Sequence, residues 1–327
     1  GHFPYTHSFK ELPLKDQEQH TAELLMAEPL RSILGDTVGV DPWTVAAIVD
    51  EDLDVGGRED VALFRRMLSG ALDPDKLDYL NRDAYFCGVP YGQQDIDFIL
   101  SRLRPDRHSG IALEETGVSA VENLLFSKYL MYRAVYWHRT VRVATAMIKK
   151  AVHRSLEDGA AAPEDFYCLV DELFYLLFGR DESLPGYRLI HGVYNRRLHH
   201  PIWERPYEPS DPVHEALASL SVRSRMEEAI AARLSRQLSR SVAPEAVIID
   251  VPERVSFEAA FSVVTEGGPV SYSESGTVFT PQVVSDFTRT LRKLRLVVDP
   301  DLAGDVRDVD ELLADAYAAI DPPQSLY

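Results

Sequence analysis

Leu72-Asp73-Pro74-Asp75-Lys76-Leu77-Asp78-Tyr79-Leu80-Asn81-Arg82-Asp83 is the stretch on which the reading of this chain turns. Helical geometry puts Asp75, Tyr79 and Asp83 on one face, because they recur every four residues. Asp78 and Arg82 share another face at the same spacing and can brace the helix from outside. Two acids, a lysine and a tyrosine on one rigid element can hold a metal, a phosphate and a sugar hydroxyl at fixed separations. Charged helix faces are commonly just solvated, so the flanks matter. Ser69-Gly70-Ala71-Leu72 leads in, and Cys87-Gly88-Val89-Pro90-Tyr91-Gly92 leads out through a glycine-rich turn.

Two further blocks stand in order around this one. Gly1-His2-Phe3-Pro4-Tyr5-Thr6-His7-Ser8-Phe9 opens the chain and is followed by His20; Lys128-Tyr129-Leu130-Met131-Tyr132 runs into Val135-Tyr136-Trp137-His138-Arg139. Together the three blocks resemble the HD-domain deoxynucleoside triphosphate triphosphohydrolases. The resemblance covers most of the chain, and its specific matches lie in residues 1–140. It implies a mainly α fold, an HD-domain helical bundle with a smaller C-terminal α+β lobe. It implies metal-dependent hydrolysis of deoxynucleoside triphosphates to deoxynucleoside and inorganic triphosphate.

Residue by residue, the resemblance places Asp75 as a metal ligand, Lys76 and Tyr79 at the triphosphate, and Asp83 at the sugar 3′-hydroxyl. His2 falls to phosphate contact, His7 and His20 to the catalytic neighbourhood. Lys128 stands where several relatives carry Arg, which implies a point charge at the triphosphate in place of a planar fork. Tyr136 would line the sugar, and His138 matches a nucleotide-contact position. The family's name comes from a His and a His-Asp pair that supply the other ligands of a divalent metal (Mg, Mn, Fe, Ni or Zn). That pair lies upstream of the Gly-His run, and here the run begins at Gly1. One carboxylate does not hold a catalytic transition metal, so the remaining ligands are expected upstream. The resemblance also implies a homo-oligomer, dimer or tetramer. Two other functions fit the same blocks: a catalytically silent nucleotide-binding or assembly protein, and an HD hydrolase acting on another phosphoester.

Composition narrows the partners. The 327 residues are 45% apolar and 26% charged, enough for one large helical domain plus a smaller lobe. A formal net charge of −18 repels nucleic acid and anionic membranes, so a polynucleotide partner is not expected. A triphosphate site in such a protein must concentrate Lys76, Lys128, Arg139, Arg142 and histidines locally. No apolar run approaches the roughly 18–20 residues of a membrane span, the longest being Leu173–Phe178. Cys87 and Cys168 alone form neither a disulfide framework nor a zinc knuckle. They suit a reducing cytoplasm and are expected as buried thiols.

The apolar pattern predicts helices over 17–35, from Asp41-Pro42 to about Asp50, over 58–68, over Asp75–Phe86, and as one long helix over 118–157. In the last, Val121, Leu124, Leu125, Met131, Val135, Val141, Ala144 and Ile148 form the expected buried face, while Lys128, Tyr132, Tyr136 and Arg139 share another. Between 93 and 117 the pattern is irregular, and the resemblance suggests paired strands. Pro163 opens a helix expected to reach Phe178. His199-His200, beside Arg196-Arg197, makes a poor chelating pair because adjacent side chains diverge on regular structure; the Arg-rich 187–206 segment suggests an interface. His108, His153, His191 and His214 read as ordinary surface or core residues. After about residue 211 the texture changes: a charged amphipathic helix over 212–240, a strand at Ala246–Val251, another within Phe257–Val264, a turn at Gly267-Gly268-Pro269, then helices over Pro281–Leu296 and Val309–Ile320. The expected domains are therefore residues 1–210 and 211–327.

Overall fold

The computed structural model describes residues 2–180, 184–253 and 261–320, without the side chain of Pro185. The chain forms two compact units that interleave along the sequence. Gly1–His2, Lys15–Trp137 and Val255–Thr288 make the first; Phe3–Leu14, His138–Arg254 and Arg289–Tyr327 make the second.

Capping chemistry sets the helices of the first unit. Asp41 accepts from the backbone N–H groups of Trp43 and Thr44, and Pro42 occupies the first turn of the helix Pro42–Val49. Asp73-Pro74 repeats the device at the start of Pro74–Cys87, with Asp73 accepting from Lys76 N. That helix ends at Gly88, whose φ of 65° lets its N–H reach back to Ala84 and Tyr85. Helices Gln17–Met26, Glu59–Ser69, Ile96–Ser101 and Val118–Met131 also belong to this unit. A four-stranded sheet accompanies them in the order Leu103–Asp106, Gly110–Glu114, Ser262–Thr265, Gly268–Ser271. Its first and last pairings are antiparallel and the central one is parallel. Leu72, Leu77, Leu80, Leu113, Leu124, Leu125, Met131, Val263 and Tyr272 fill one core.

The second unit packs Arg139–Glu157, Asp171–Phe178, Pro185–Tyr194, Leu220–Leu238 and Val309–Ala319 with an antiparallel sheet. The sheet runs His200–Pro206, Lys293–Val298, Val247–Asp250. Phe3, Phe9 and Leu12 join the core of the Arg139–Glu157 helix. The mainly α fold with a smaller α+β part is therefore present, although several element boundaries differ from expectation.

The helix expected over 17–35 stops at Met26, because Pro29 has no N–H to continue it. Met26, Leu30 and Ile33, apolar residues of the helix expected over 17–35, are exposed. The helix expected over 118–157 is two helices, Val118–Met131 and Arg139–Glu157, joined through a π turn at Tyr132–Tyr136. The break resets the helical phase. Val141, expected inside, is exposed, and Arg142, Val143, Ala146 and Met147 are buried. Pro163 starts only a 3-10 turn, Pro163–Phe166, separate from Asp171–Phe178. The amphipathic helix over 212–240 divides into Pro212–Ala216 and Leu220–Leu238. The last part of Pro281–Leu296 is strand, since the helix ends at Leu291 and Lys293–Val298 pairs in the sheet. The expected strand within Phe257–Val264 falls partly outside the described residues; Ser262–Thr265 is the part seen. Both cysteines are exposed, not buried.

Candidate functional site

The helix Pro74–Cys87 carries Asp75, Lys76, Tyr79 and Asp83, and the first unit brings Tyr132 and Tyr136 to it. The Tyr136 hydroxyl donates to Asp83 Oδ2 at 2.7 Å. The Tyr136 ring lies edge-on to both Tyr79 and Tyr132, with centroids 6.1 and 5.2 Å apart. Edge-to-face pairs of this kind are worth about 0.5–1.5 kcal/mol each beyond their burial. Burial, then the hydrogen bond to Asp83 and its charge, raise the Tyr136 phenol well above its ordinary range. Burial chiefly does the same for Tyr79, assisted by Tyr132 and by Asp73, Asp75 and Asp83. Both phenols therefore keep their protons at neutral pH, and that of Tyr136 is the donor to Asp83.

The π turn gives Tyr136 its place. Trp137 N–H reaches the Tyr132 carbonyl at 2.7 Å, five residues back. Such turns are uncommon and recur at functional sites. An uninterrupted α pattern gives no sequence signal for one, which is why the break was not foreseen.

The outer brace is as expected, Arg82 donating to Asp78 Oδ2 through Nη2 at 2.8 Å and Nε at 3.1 Å. Arg82 Nη1 also stands 3.9 Å from Asp83 Oδ1, too far to donate. The Asp83 side chain is one-third exposed, with Oδ2 engaged by Tyr136.

Lys76 is more constrained than its sequence position suggested. Its Nζ donates to Asp73 Oδ2 at 2.7 Å and to the Gly70 carbonyl at 2.8 Å. Asp73 therefore caps the helix with one oxygen and orients Lys76 with the other. The Asp-Pro dipeptide signals the cap; nothing in the sequence signals the second bond. Lys128 lies buried on Val118–Met131, next to Ser127. Asp75 is exposed in the first turn of its helix.

The histidines are dispersed. His2 is exposed in the first unit, and His20 is buried on Gln17–Met26. Burial lowers the His20 pKa and favours the neutral imidazole. His7 belongs to the second unit, exposed in the turn Thr6–Ser8. His138 also lies there and caps Arg139–Glu157, its Nδ1 accepting from Thr140 N at 3.3 Å. His199 is buried with Nε2 3.0 Å from the Glu245 carbonyl, whereas His200 is exposed at the start of a strand, so the two diverge as expected.

Arg142, counted at first among the triphosphate cations, is instead buried in the second unit. It pairs with Asp250, which also accepts from Arg295 at 3.3 Å, and with Glu253 at 3.4 Å. Lys149 bridges Glu253 at 2.6 Å and Glu11 at 2.7 Å, and Glu11 also accepts from Arg223 at 2.6 Å.

An HD-type metal centre needs several His and Asp donors around one point. Among the described residues no group of three or more His, Cys, Asp or Glu side chains is so arranged. Asp75 alone does not fit a metal, and no chemical step can be derived through one here. Among the same residues no helix is long and apolar enough to cross a membrane.

Comparison with known proteins places this geometry. The family model described as "HD associated region" matches residues 95–280, more than half of the chain. Protein YwfO of Bacillus subtilis (strain 168) is 33% identical over 178 residues, which are 52% of this chain and 40% of YwfO. Protein MJ1154 of Methanocaldococcus jannaschii is 40% identical over 96 residues, 28% of this chain and 21% of that protein. The chain thus matches less than half the length of these relatives. A phosphohydrolase from Bacteroides thetaiotaomicron shares the fold with a TM-score of 0.64 at 19% identity, over 91% of this chain and 76% of that one. A hypothetical protein from Aquifex aeolicus gives 0.54 at 19% identity, over 96% and 83%.

Proposed function

We propose, from the premise that this chain belongs to the HD associated region family, that it reads the sugar and triphosphate of a deoxynucleoside triphosphate for hydrolysis to deoxynucleoside and inorganic triphosphate. A phosphohydrolase among its structural neighbours agrees with the coarser class. The observation that carries the finer reading is the Asp83 carboxylate held by Tyr136, whose ring is itself flanked by those of Tyr79 and Tyr132.

In this reading Asp83 Oδ1 accepts from the sugar 3′-hydroxyl. The Tyr136 ring packs against the sugar, Tyr79 contacts the triphosphate, and crowding at the sugar's 2′ position selects deoxyribose. Lys76 and Lys128 supply positive charge for the triphosphate, which needs stabilisation as it departs. His2 contacts phosphate and His20 moves a proton; the lowered pKa of His20 keeps it able to accept one near neutrality. The resemblance assigns Asp75 to a divalent metal, whose chemistry would be Lewis-acid polarisation of phosphate; the described residues do not by themselves form its site. The protein acts in the cytoplasm as a homo-oligomer.

A second reading is nucleotide binding without turnover. A product-resolved assay separates the two, with all four dNTPs, Mn²⁺ or Mg²⁺, and triphosphate and deoxynucleoside followed together. Triphosphate release abolished by Asp75→Ala is the expected result. Release of orthophosphate or monophosphate would replace it with hydrolysis of another phosphoester. Saturable dNTP binding without products would leave the silent reading standing.

A further inference from the structure

We infer that Gln94 is a positioning residue that sets the separation of the sugar-reading helix from the triphosphate-reading helix. This inference rests on the proposed reading of the site and adds a residue to it.

After Gly88 the chain turns back along the helix Pro74–Cys87. Gly92 lies so close that a Cβ there would stand 2.3 Å from the Leu80 carbonyl oxygen and 2.7 Å from Ala84 Cβ. This contact brings Gln94 alongside Asn81, two residues before Asp83. The Gln94 backbone N–H donates to Asn81 Oδ1 at 2.7 Å, and Asn81 Nδ2 donates back to the Gln94 carbonyl at 3.4 Å. The Gln94 side chain faces the other helix. Its Nε2 donates to Ser127 Oγ, and its Oε1 accepts from Asn123 Nδ2 at 3.1 Å. One residue thus makes two hydrogen bonds to the helix carrying Asp83 and two to the helix carrying Lys128. Ser127, its partner there, is buried and adjacent to Lys128.

The chemistry of the substrate gives this link its consequence. In a deoxynucleoside triphosphate the 3′-oxygen and the phosphates are joined covalently at a set distance. A site that holds both ends gains over either half alone only when its own two halves keep the matching separation. The Tyr136–Asp83 bond fixes the orientation of Asp83. The Gln94 link fixes the distance from that carboxylate's helix to Lys128. Loosening it leaves each half intact and costs the advantage of binding them together.

The test titrates the full chain calorimetrically with the tightest-binding dNTP, with the matching deoxynucleoside, and with inorganic triphosphate. Gln94→Leu keeps the bulk and removes both side-chain bonds. Its expected effect is a loss of about tenfold in dNTP affinity, with the deoxynucleoside and inorganic triphosphate changed by less than about twofold. Gln94→Glu still accepts from Asn123 and from the Ser127 hydroxyl, and is expected to restore most of the dNTP affinity. Equal loss on all three ligands, or no loss on any, overturns the inference. If Gln94→Leu melts too low to titrate, Ser127→Ala takes its place, with the same split required. A wild-type chain that binds no dNTP removes the proposed function and this inference together. A wild-type chain that binds dNTP, beside a Gln94→Leu variant that binds it equally well, removes only the inference.

Discussion

Tyr136 and Asp83 are 53 residues apart in the chain and meet as donor and acceptor at 2.7 Å. The pairing is directional. The phenol O–H donates and the carboxylate Oδ2 accepts, with burial and this bond holding the Tyr136 proton in place.

Tyr136→Phe keeps the ring contacts and removes that donor. Hydrogen bonds to charged groups contribute about 1.5–3 kcal/mol, so deoxynucleoside affinity is expected to fall by at least about tenfold. Inorganic triphosphate should bind as before. Titration of both ligands checks this, and equal weakening of the two would contradict the assignment of Asp83 to the sugar.

Asp73→Ala removes a helix cap and the carboxylate that orients Lys76 in one substitution. Loss of the cap is expected to destabilise the chain by about 1 kcal/mol. Asp73→Asn retains an acceptor for Lys76 N while removing the charge, so it should recover most of the melting temperature. Neither variant is expected to regain wild-type affinity for inorganic triphosphate, because both lack the charge that orients Lys76.

Asp250 sits between two buried arginines, Arg142 and Arg295. Asp250→Ala leaves both without its carboxylate in a low-dielectric interior, and a loss of about 3–5 kcal/mol is expected. Urea denaturation would show it. A change below about 1 kcal/mol would mean that the surrounding acids compensate.

The second unit should lose stability with falling pH in two steps. Burial lowers the His199 pKa below 6.5, so on acidification the unfolded chain binds that proton first. Its contribution is complete above 6.5 and declines below it, down to the folded pKa. For Glu11 burial opposes ionisation, but Arg223 and Lys149 outweigh it; for Glu253 Lys149 and Arg142 do the same, and both pKa values fall below 4.5. Their contribution is complete above 4.5 and is lost as pH drops through the folded values. Melting temperature against pH is the measurement. His199→Gln should flatten the first step, Glu11→Gln should diminish the second, and an unaltered curve for both would refute the assignment.

What the sequence disclosed depended on how local the cause was. Asp41-Pro42 and Asp73-Pro74 announced their helices because a cap and a fixed φ act within one turn. Periodicity misled where it ran through Pro29, and again where an apolar pattern continued past the π turn at Tyr132–Tyr136. Leu291–Val298 alternates and repeats well enough for helix or strand, and only pairing with His200–Pro206 and Val247–Asp250 decided it. For the site, spacing put Asp75, Tyr79 and Asp83 on one face, and resemblance supplied their chemistry. The bond from Tyr136 to Asp83, the second role of Asp73 and the four bonds of Gln94 are tertiary contacts, and no short stretch of sequence contains them. Arg142 shows the converse: its charge was legible, but its burial against Asp250 was not.

The parallel pairing of Gly110–Glu114 with Ser262–Thr265 also sets a timetable. Ala112 finds its neighbour Ser262 about 150 residues later in the chain. At the usual pace of synthesis, 5–20 residues per second, the earlier strand waits roughly 8–30 seconds on the ribosome before its partner exists. Throughout that interval an apolar strand containing the buried Leu113 has an edge open to any other strand nearby. The first unit, whose helices are made early, is thus completed late, and a nascent chain halted before residue 262 is expected to be the form most prone to aggregate.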